Sequence, residues 1–263
     1  MIISASRRTD IPSFYGNWLL ERIGEGYVIV KNPYNPNQQK NISLQKQDVD
    51  CFVFWTKNAL PFMDSLQRIY KAGYPFYFLY TITPYGLDLE YNLPDKRLLI
   101  ENFKQIIELY GRGSAIWRYD PIILTKKYNV GYHLKAFSRL ADLLDGYTHV
   151  CLISFLEYYR KLRNQNWPVG FDPSPDDSLK MTLINEMKKI AGSHNIQLAA
   201  CCNSLDGISQ PGCINREFVQ QVSHGQQLFK QDSHQRKNCR CIKSVDIGSY
   251  GTCKHGCLYC YAC

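Results

Sequence analysis

A chain of 263 residues with 45% apolar content can bury one large core, so a single principal domain is expected. The opening MIISASRRTD has no secretory apolar stretch, and the longest apolar run, around PFYFLYTI, falls far short of the roughly 20 residues that cross a bilayer; a soluble, cytoplasmic protein with no membrane partner is expected. The net charge of +8 comes from dispersed Lys and Arg without a basic block, which permits a nucleic-acid partner without indicating one.

The first 200 residues alternate short β-rich runs with amphipathic stretches. IISAS opens the chain as a strand, and Pro12 to Gly24 follows with apolar residues at helical spacing. YVIVKNPYNPNQQKNISL then breaks the rhythm, because Asn32, Pro33, Asn35 and Pro36 place turn chemistry between two strand-like runs; a β-hairpin insertion near residues 27–45 is expected.

VDCFVFW is the next strand and Leu60 to Ala72 the next helix. YPFYFLYTIT, the helix Asp95 to Tyr110, AIWRY, the helix Val130 to Leu144, HVCLISF, the helix Asp176 to Ile190 and IQLAA complete the alternation. Asp95 and Asp176 stand at helix starts, and Gly111 and Gly192 just past helix ends. Repeated β-α units imply a parallel sheet, since parallel strands need crossover helices, and the expected fold is a complete or partial TIM-like (β/α) barrel over residues 1–202.

From Asn203 the helix signal thins, apart from a short candidate between Arg216 and Val222, and residues 203–263 read as a cysteine-rich extension packed on the barrel. Functional groups of barrels gather at the C-terminal ends of strands, and polar residues recur there. Arg7, Arg8 and Asp10 follow the first strand, Thr56, Lys57 and Asn58 follow VDCFVFW, Thr81 and Thr83 lie in YTIT, Arg118 and Asp120 end AIWRYD, and Ser154 ends HVCLIS. Such groups also cap helices and satisfy loop amides, but their recurrence around one rim favours a polar pocket. Trp55, Tyr80 and Trp117 are either walls of that pocket or plain core.

Nine of the eleven cysteines fall after residue 200, and no export signal accompanies them, so a metal or redox role is expected in place of disulfides. Cys253, Cys257 and Cys260 have the spacing C-x3-C-x2-C. Three thiolates in tight turns can hold three corners of a 4Fe-4S cluster and leave one iron without a protein ligand. That iron can take S-adenosylmethionine (SAM), and an electron from the cluster can cleave its sulfonium bond to a deoxyadenosyl radical. The stretch resembles the radical SAM signature C-x3-C-x-aromatic-C, with Tyr259 in the aromatic place near the adenine. Zinc is the competitor, although its structural sites favour paired C-x2-C knuckles and four closed ligands.

Cys213, Cys239, Cys241 and one of the pair Cys201 and Cys202 make a second set of four, suited to a second 4Fe-4S cluster or to a structural zinc. Strand alternation in IQLAACC points Cys201 and Cys202 to opposite faces, and Cys202 lies nearer the loop. Cys51 and Cys151 sit inside apolar runs and read as small buried hydrophobes, while Cys263 is a stray thiol or a spare ligand.

The stretches SASRRTDIPSFYGNWL, NPYNPNQ, VDCFVFWTKN, YTITPYG, IWRYDPI, CLISFLEYY and QRKNCRCIKSVDIGSYGTCKHGCLYCYA resemble, from end to end, the family catalogued as domain of unknown function 1848. Its members share a cysteine-rich C-terminus likened to the radical SAM cluster site. The resemblance implies Cys253, Cys257 and Cys260 as cluster ligands, places Cys239 and Cys241 in a shared cysteine set, and makes SRRTD, FWTKN and WRYDP family signatures; it brings no reaction. Ordinary radical SAM enzymes carry the cluster loop after the first barrel strand, whereas here it closes the chain. A circular permutation reconciles the two if VDIGSY forms a strand beside IISAS.

The expected function is a radical SAM-like enzyme in which Arg7, Arg8, Lys57 and Arg118 neutralise carboxylate or phosphate groups and Asp10 and Asp120 orient those cations or bind a ligand hydroxyl or amine. Thr81, Thr83, Asn58, Ser154 and Tyr259 are candidate SAM contacts. Its partners would be SAM, an unidentified substrate and a reductase or ferredoxin-type electron donor. The rival is a zinc-stabilised nucleic-acid-binding protein without catalysis.

Overall fold

The computed structural model describes residues 1–202, 207–223, 229–233, 235 and 238–262. Seven parallel strands form one sheet: β1 (Ile2–Ala5), β4 (Cys51–Thr56), β5 (Phe76–Thr81), β6 (Ala115–Ile122), β7 (Val150–Phe155), β8 (Gln197–Ala200) and β9 (Val245–Asp246). The two remaining strands, β2 (Tyr27–Asn32) and β3 (Asn35–Ser43), pair antiparallel as a separate hairpin.

The sheet order is β8-β7-β6-β5-β4-β1-β9. From β1 to β8 each strand lies beside the preceding strand of its own sheet. The last strand breaks this sequence: β9 lies on the far side of β1, with Ile3 opposite Val245 and Ser4 opposite Asp246. The strands β8 and β9 are the sheet's two edges, so the described residues form an open parallel sheet and not a closed barrel.

Both faces of this sheet are covered, and its central strand β5 is buried at every position, as expected for parallel strands. Phe52, Phe54, Phe76, Phe78, Trp117 and Ile153 point to one face, against the helices α1 (Ile11–Phe14), α2 (Gly16–Glu25), α3 (Met63–Lys71), α4 (Lys96–Tyr110), α5 (Val130–Leu144) and α6 (Asp177–Ser193). Ile2, Cys51, Val53, Tyr77, Leu79 and Leu152 point to the other face, which is covered by α7 (Arg216–Val222) and the cysteine-bearing tail. Each aliphatic or aromatic side chain fully buried this way contributes about 1.5–3 kcal/mol.

The expected helix over Pro12 to Gly24 is two helices. Asp10 caps α1 by accepting from the Ser13 amide, and the chain turns at Tyr15 before Gly16 starts α2. A Cβ on Gly16 would stand 2.9 Å from the Phe62 ring, so the restart occurs where the backbone must pass close to the core. The end expected before Gly192 is also displaced. Leu183, Ile184, Met187 and Ala191 keep a buried stripe facing the sheet, and that packing carries α6 through Gly192 to Ser193.

Tyr80 and Trp117 belong to the helix-side core, with Trp117 stacked on Phe137 and Tyr80 donating to Asn102 Oδ1 at 3.0 Å, so neither walls a pocket at the rim. Cys51 and Cys151 are fully buried in the sheet, where burial pushes both thiols up; they behave as small apolar side chains. Among the described residues no helix is long and apolar enough to cross a membrane.

Candidate metal centre

The pairing of β9 with β1 determines where the C-terminal cysteines go. Leaving Asp246, the chain passes Gly248, where a Cβ would stand 2.1 Å from Ser6 Oγ, so only glycine lets the two chain segments approach. Asp246 fastens the crossing: it accepts from Ser4 Oγ at 2.9 Å, Ser6 Oγ at 2.8 Å and the Arg7 amide at 2.7 Å. The loop Cys253–Cys260 therefore emerges at the C-terminal ends of β1, β4 and β5.

The loop is clamped by the segment after β5. Leu258 N donates to Leu89 O at 2.9 Å, Asn92 N to His255 O at 3.1 Å, and Glu90 forms an antiparallel bridge with Cys257. Gly256 turns the loop at φ +63, a conformation glycine adopts without strain. Cys260 N donates to Cys257 O at 3.0 Å, closing the last turn.

Two buried carboxylates hold this region. Asp10 accepts from Ser13 N at 2.9 Å and Thr56 Oγ1 at 2.8 Å through one oxygen, and through the other from Lys57 N at 2.8 Å, with His255 Nε2 at 2.9 Å. Its acceptor capacity is thus spent on joining α1, the end of β4 and the cysteine loop. His255 is drawn into the same knot, also 3.0 Å from Ser13 Oγ; burial pushes its imidazole down, but the Asp10 carboxylate overcomes this and raises it. The His255 Nδ1 atom is buried without a hydrogen-bond partner among the described residues.

The second carboxylate is Glu90, 1% exposed. It accepts from Lys57 Nζ at 2.8 Å and Thr83 Oγ1 at 2.6 Å, and also from Lys96 Nζ and the Tyr259 hydroxyl. Burial by itself would raise the Glu90 carboxyl, yet the adjacent Lys57 and Lys96 ammonium groups hold it at about 2. Tyr259 is buried on this carboxylate with Lys57 Nζ 5.4 Å above its ring and Tyr85 at its edge.

Farther along the same edge, Trp55 has two guanidinium groups over its ring, Arg7 at 5.1 Å and Arg118 at 4.8 Å from the centroid, and donates to Ser4 Oγ at 3.0 Å. Arg118 pairs with Asp120 and reaches Thr81 Oγ1 at 3.3 Å, and Ser154 donates to Asp120. Arg8 lies 3.9 Å from Asp246 and 5.4 Å from the Tyr250 ring. Asn58 stays in its own turn, where Oδ1 accepts from Leu60 N at 3.1 Å. Arg7 Nη2 and Arg118 Nε are buried donors without a partner among the described residues.

The expected rim residues therefore fall into two neighbouring groups: Asp10, Lys57, Thr83 and Tyr259 beneath the cysteine loop, and Arg7, Arg8, Thr81, Arg118, Asp120 and Ser154 around Trp55 and Asp246. Tyr261 joins the two, since its hydroxyl donates to Arg7 O at 2.9 Å. Glu90, Lys96, His255 and Asp246 are the members that the reading by strand ends missed. Glu90 and Lys96 lie in the long connection after β5, and Asp246 needs the β9–β1 pairing to be seen; His255 stood in plain view inside C-K-H-G-C.

Cys253, Cys257 and Cys260 share one electrostatic neighbourhood, and burial chiefly pushes the Cys257 thiol up to about 12 against the opposing pull of Lys57. Three thiols from a single loop, beside an ammonium group, are a donor set that fits three corners of a cubane. Among the described residues no group of three or more His, Cys, Asp or Glu side chains is already arranged around a metal position.

The second set lies against the tail-covered face of the sheet. Cys201, Cys213, Cys239 and Cys241 are buried and Cys202 is half-buried. The expected opposite orientation of Cys201 and Cys202 does not hold. The strand β8 ends at Ala200, Cys202 adopts φ +58, and the two sulfurs stand 3.7 Å apart. Cys263 lies outside the described residues. An open cleft of about 390 Å³, bounded by Phe155, Glu157, Tyr158, Lys180, Cys202 and Asn238, begins at the end of β7.

Residues 2–262 match the family model described as domain of unknown function (DUF1848). No curated protein matches the chain.

Proposed function

The chain belongs to the DUF1848 family, and we propose that it is a radical SAM-like enzyme acting, in the cytoplasm, on a substrate that its rim recognises. The observation that carries this reading is the parallel pairing of β9 with β1, which delivers the C-x3-C-x2-C loop to the strand ends where Asp10, Lys57 and Glu90 converge. This pairing supports the reading of the sheet as a permuted, incomplete barrel, in which the last strand in sequence takes the first place.

Cys253, Cys257 and Cys260 would hold the 4Fe-4S cluster. When bound, such a cluster supplies, with an electron from a reductase or ferredoxin-type donor, the reductive cleavage of SAM. The chain's own residues do the remaining work. Asp10 and His255 fasten the loop to α1 and β4, so that the thiols keep their spacing. Lys57 places positive charge beside Cys257 and favours its thiolate. The buried donor atoms Arg7 Nη2 and Arg118 Nε, which have no hydrogen-bond partner among the described residues, suit a carboxylate or phosphate group of SAM or substrate. Asp120 and Ser154 hold Arg118 in that position, while Thr81 and Thr83 present hydroxyls on the same edge.

The test is an electron paramagnetic resonance spectrum of the anaerobically reconstituted, reduced protein with and without SAM, together with assay of deoxyadenosine. A 4Fe-4S signal that moves on adding SAM, and is lost in a folded Cys257→Ala variant along with SAM cleavage, supports the reading. Zinc in place of iron at Cys253, Cys257 and Cys260, with salt-sensitive oligonucleotide binding, would replace it by the non-catalytic nucleic-acid-binding alternative.

A further inference from the structure

Five thiols from three stretches of the sequence meet on the tail-covered face of the sheet. Cys213 Sγ lies 2.8 Å from Cys201 Sγ, and Cys201 Sγ lies 3.7 Å from Cys202 Sγ. Cys239 and Cys241 belong to the same buried cluster and interact electrostatically with Cys202 and Cys213, so the five thiols make up one ring of neighbours. The backbone is built to bring them there. Gly212, at φ +82, passes so close to the Arg240–Cys241 peptide that a Cβ would lie 2.7 Å from the Arg240 carbonyl carbon. Ile242 N then donates to Ile214 O at 2.8 Å, Ile214 N faces Cys241 Sγ at 3.5 Å, and Tyr77 donates to Cys213 O at 3.2 Å.

Such a gathering of soft donors, nearly all buried, is a ligand set for a thiophilic metal, and the spacing selects among them. In a cubane each protein thiolate binds a different iron, so the sulfurs stand on separate corners and do not touch. Around a single zinc at about 2.3 Å from each sulfur, tetrahedral geometry puts neighbouring sulfurs about 3.8 Å apart. The Cys201–Cys213 contact of 2.8 Å needs to open by about 1 Å, which rotation of the side chains supplies.

We propose that Cys201, Cys213, Cys239 and Cys241 hold one tetrahedral zinc ion that staples the tail across the sheet. These four are the buried members of the ring, whereas Cys202 is half-buried on the wall of the open cleft. Cys201 is fixed by its amide, which donates to Ile153 O at 2.8 Å at the end of the sheet. The ion joins three separate segments: the end of β8, the turn before α7, and the strand-like stretch leading to β9. A closed set of four thiolates leaves no open coordination position, so this site is structural and separate from the loop Cys253–Cys260.

The experiment uses the full-length chain with Cys253, Cys257 and Cys260 replaced by alanine, which removes the loop site and leaves the ring intact. The proposal expects about one zinc per chain by elemental analysis, and a zinc-edge X-ray absorption spectrum with four sulfur neighbours at about 2.3 Å. Adding Cys202→Ser keeps the zinc; adding Cys213→Ser or Cys241→Ser releases it. Four irons per chain with a cubane spectrum, folded protein without stoichiometric zinc, a first shell of fewer than four sulfurs, or zinc lost from the Cys202→Ser variant would each overturn the assignment. The absorption measurement needs no change at the ring, so it decides the matter even if the ring variants do not fold. Since the loop cysteines are absent from this protein, failure of the radical SAM reading leaves the result untouched.

Discussion

Replacing Glu90 with glutamine should destabilise the fold by about 3 kcal/mol at pH 7. The carboxylate lies between Lys57 and Lys96, and the isosteric amide leaves two partly buried ammonium groups without a counter-charge, a change that costs about 3–5 kcal/mol in buried pairs. The ionisation of Glu90 gives the same magnitude independently. Its carboxyl is held at about 2 against an ordinary value of 4.5, and at about 1.4 kcal/mol per decade that difference is worth about 3 kcal/mol. The sign follows from the depressed value: the stabilisation is complete above the ordinary value and is lost as pH falls from there toward the folded value.

Thermal unfolding followed by circular dichroism should therefore show a drop of roughly 6–12 °C for Glu90→Gln, at about 2–4 °C per kcal/mol for a chain of this size. The gap between wild type and variant should be constant from pH 5 to pH 8. The double variant Glu90→Gln, Lys96→Met should regain part of the loss, because it removes one of the stranded charges. A melting temperature for Glu90→Gln within 2 °C of wild type, or a gap that closes between pH 8 and pH 5, would refute the reasoning.

Asp10→Asn should turn an amide donor toward the Lys57 N–H or the Ser13 N–H and cost about 1–3 kcal/mol; hydrogen exchange should show faster opening at Lys57 and at the loop Cys253–Cys260. Gly212→Ala places a Cβ against the Arg240 carbonyl and strains a left-handed residue, so a loss of about 1–3 kcal/mol is expected in urea titration, with weakened retention of the ring's metal on challenge with a chelator. Cys51→Ala and Cys151→Ala should leave metal content unchanged and cost only the packing of a small side chain, about 1 kcal/mol each by the same titration.

The sequence by itself determined the β-α alternation, because period-2 and period-3.6 patterns report directly on local backbone geometry; β5, β7 and β8 fall within the stretches that carry those patterns, while β4 runs on to Thr56 and β6 to Ile122, past the ends of VDCFVFW and AIWRY. It also determined that the tail is rich in thiols, three of them in the spacing C-x3-C-x2-C. Two helix limits were misread: the chain breaks at Tyr15, before a glycine that packs closely on Phe62, and α6 runs through Gly192 with its apolar stripe. Only the tertiary structure decided what depends on contacts far apart in the chain. The strand expected in VDIGSY beside IISAS was conditional in the sequence; the structure forms it over two residues, Val245 and Asp246, and makes the pairing definite. Glu90 is an unremarkable loop residue until Lys57, Lys96 and Tyr259 close around it. The second cysteine set was grouped in the sequence, but that Cys201 meets both Cys202 and Cys213 is decided by the fold, because no local pattern encodes a contact whose partners are set by the path of the intervening chain.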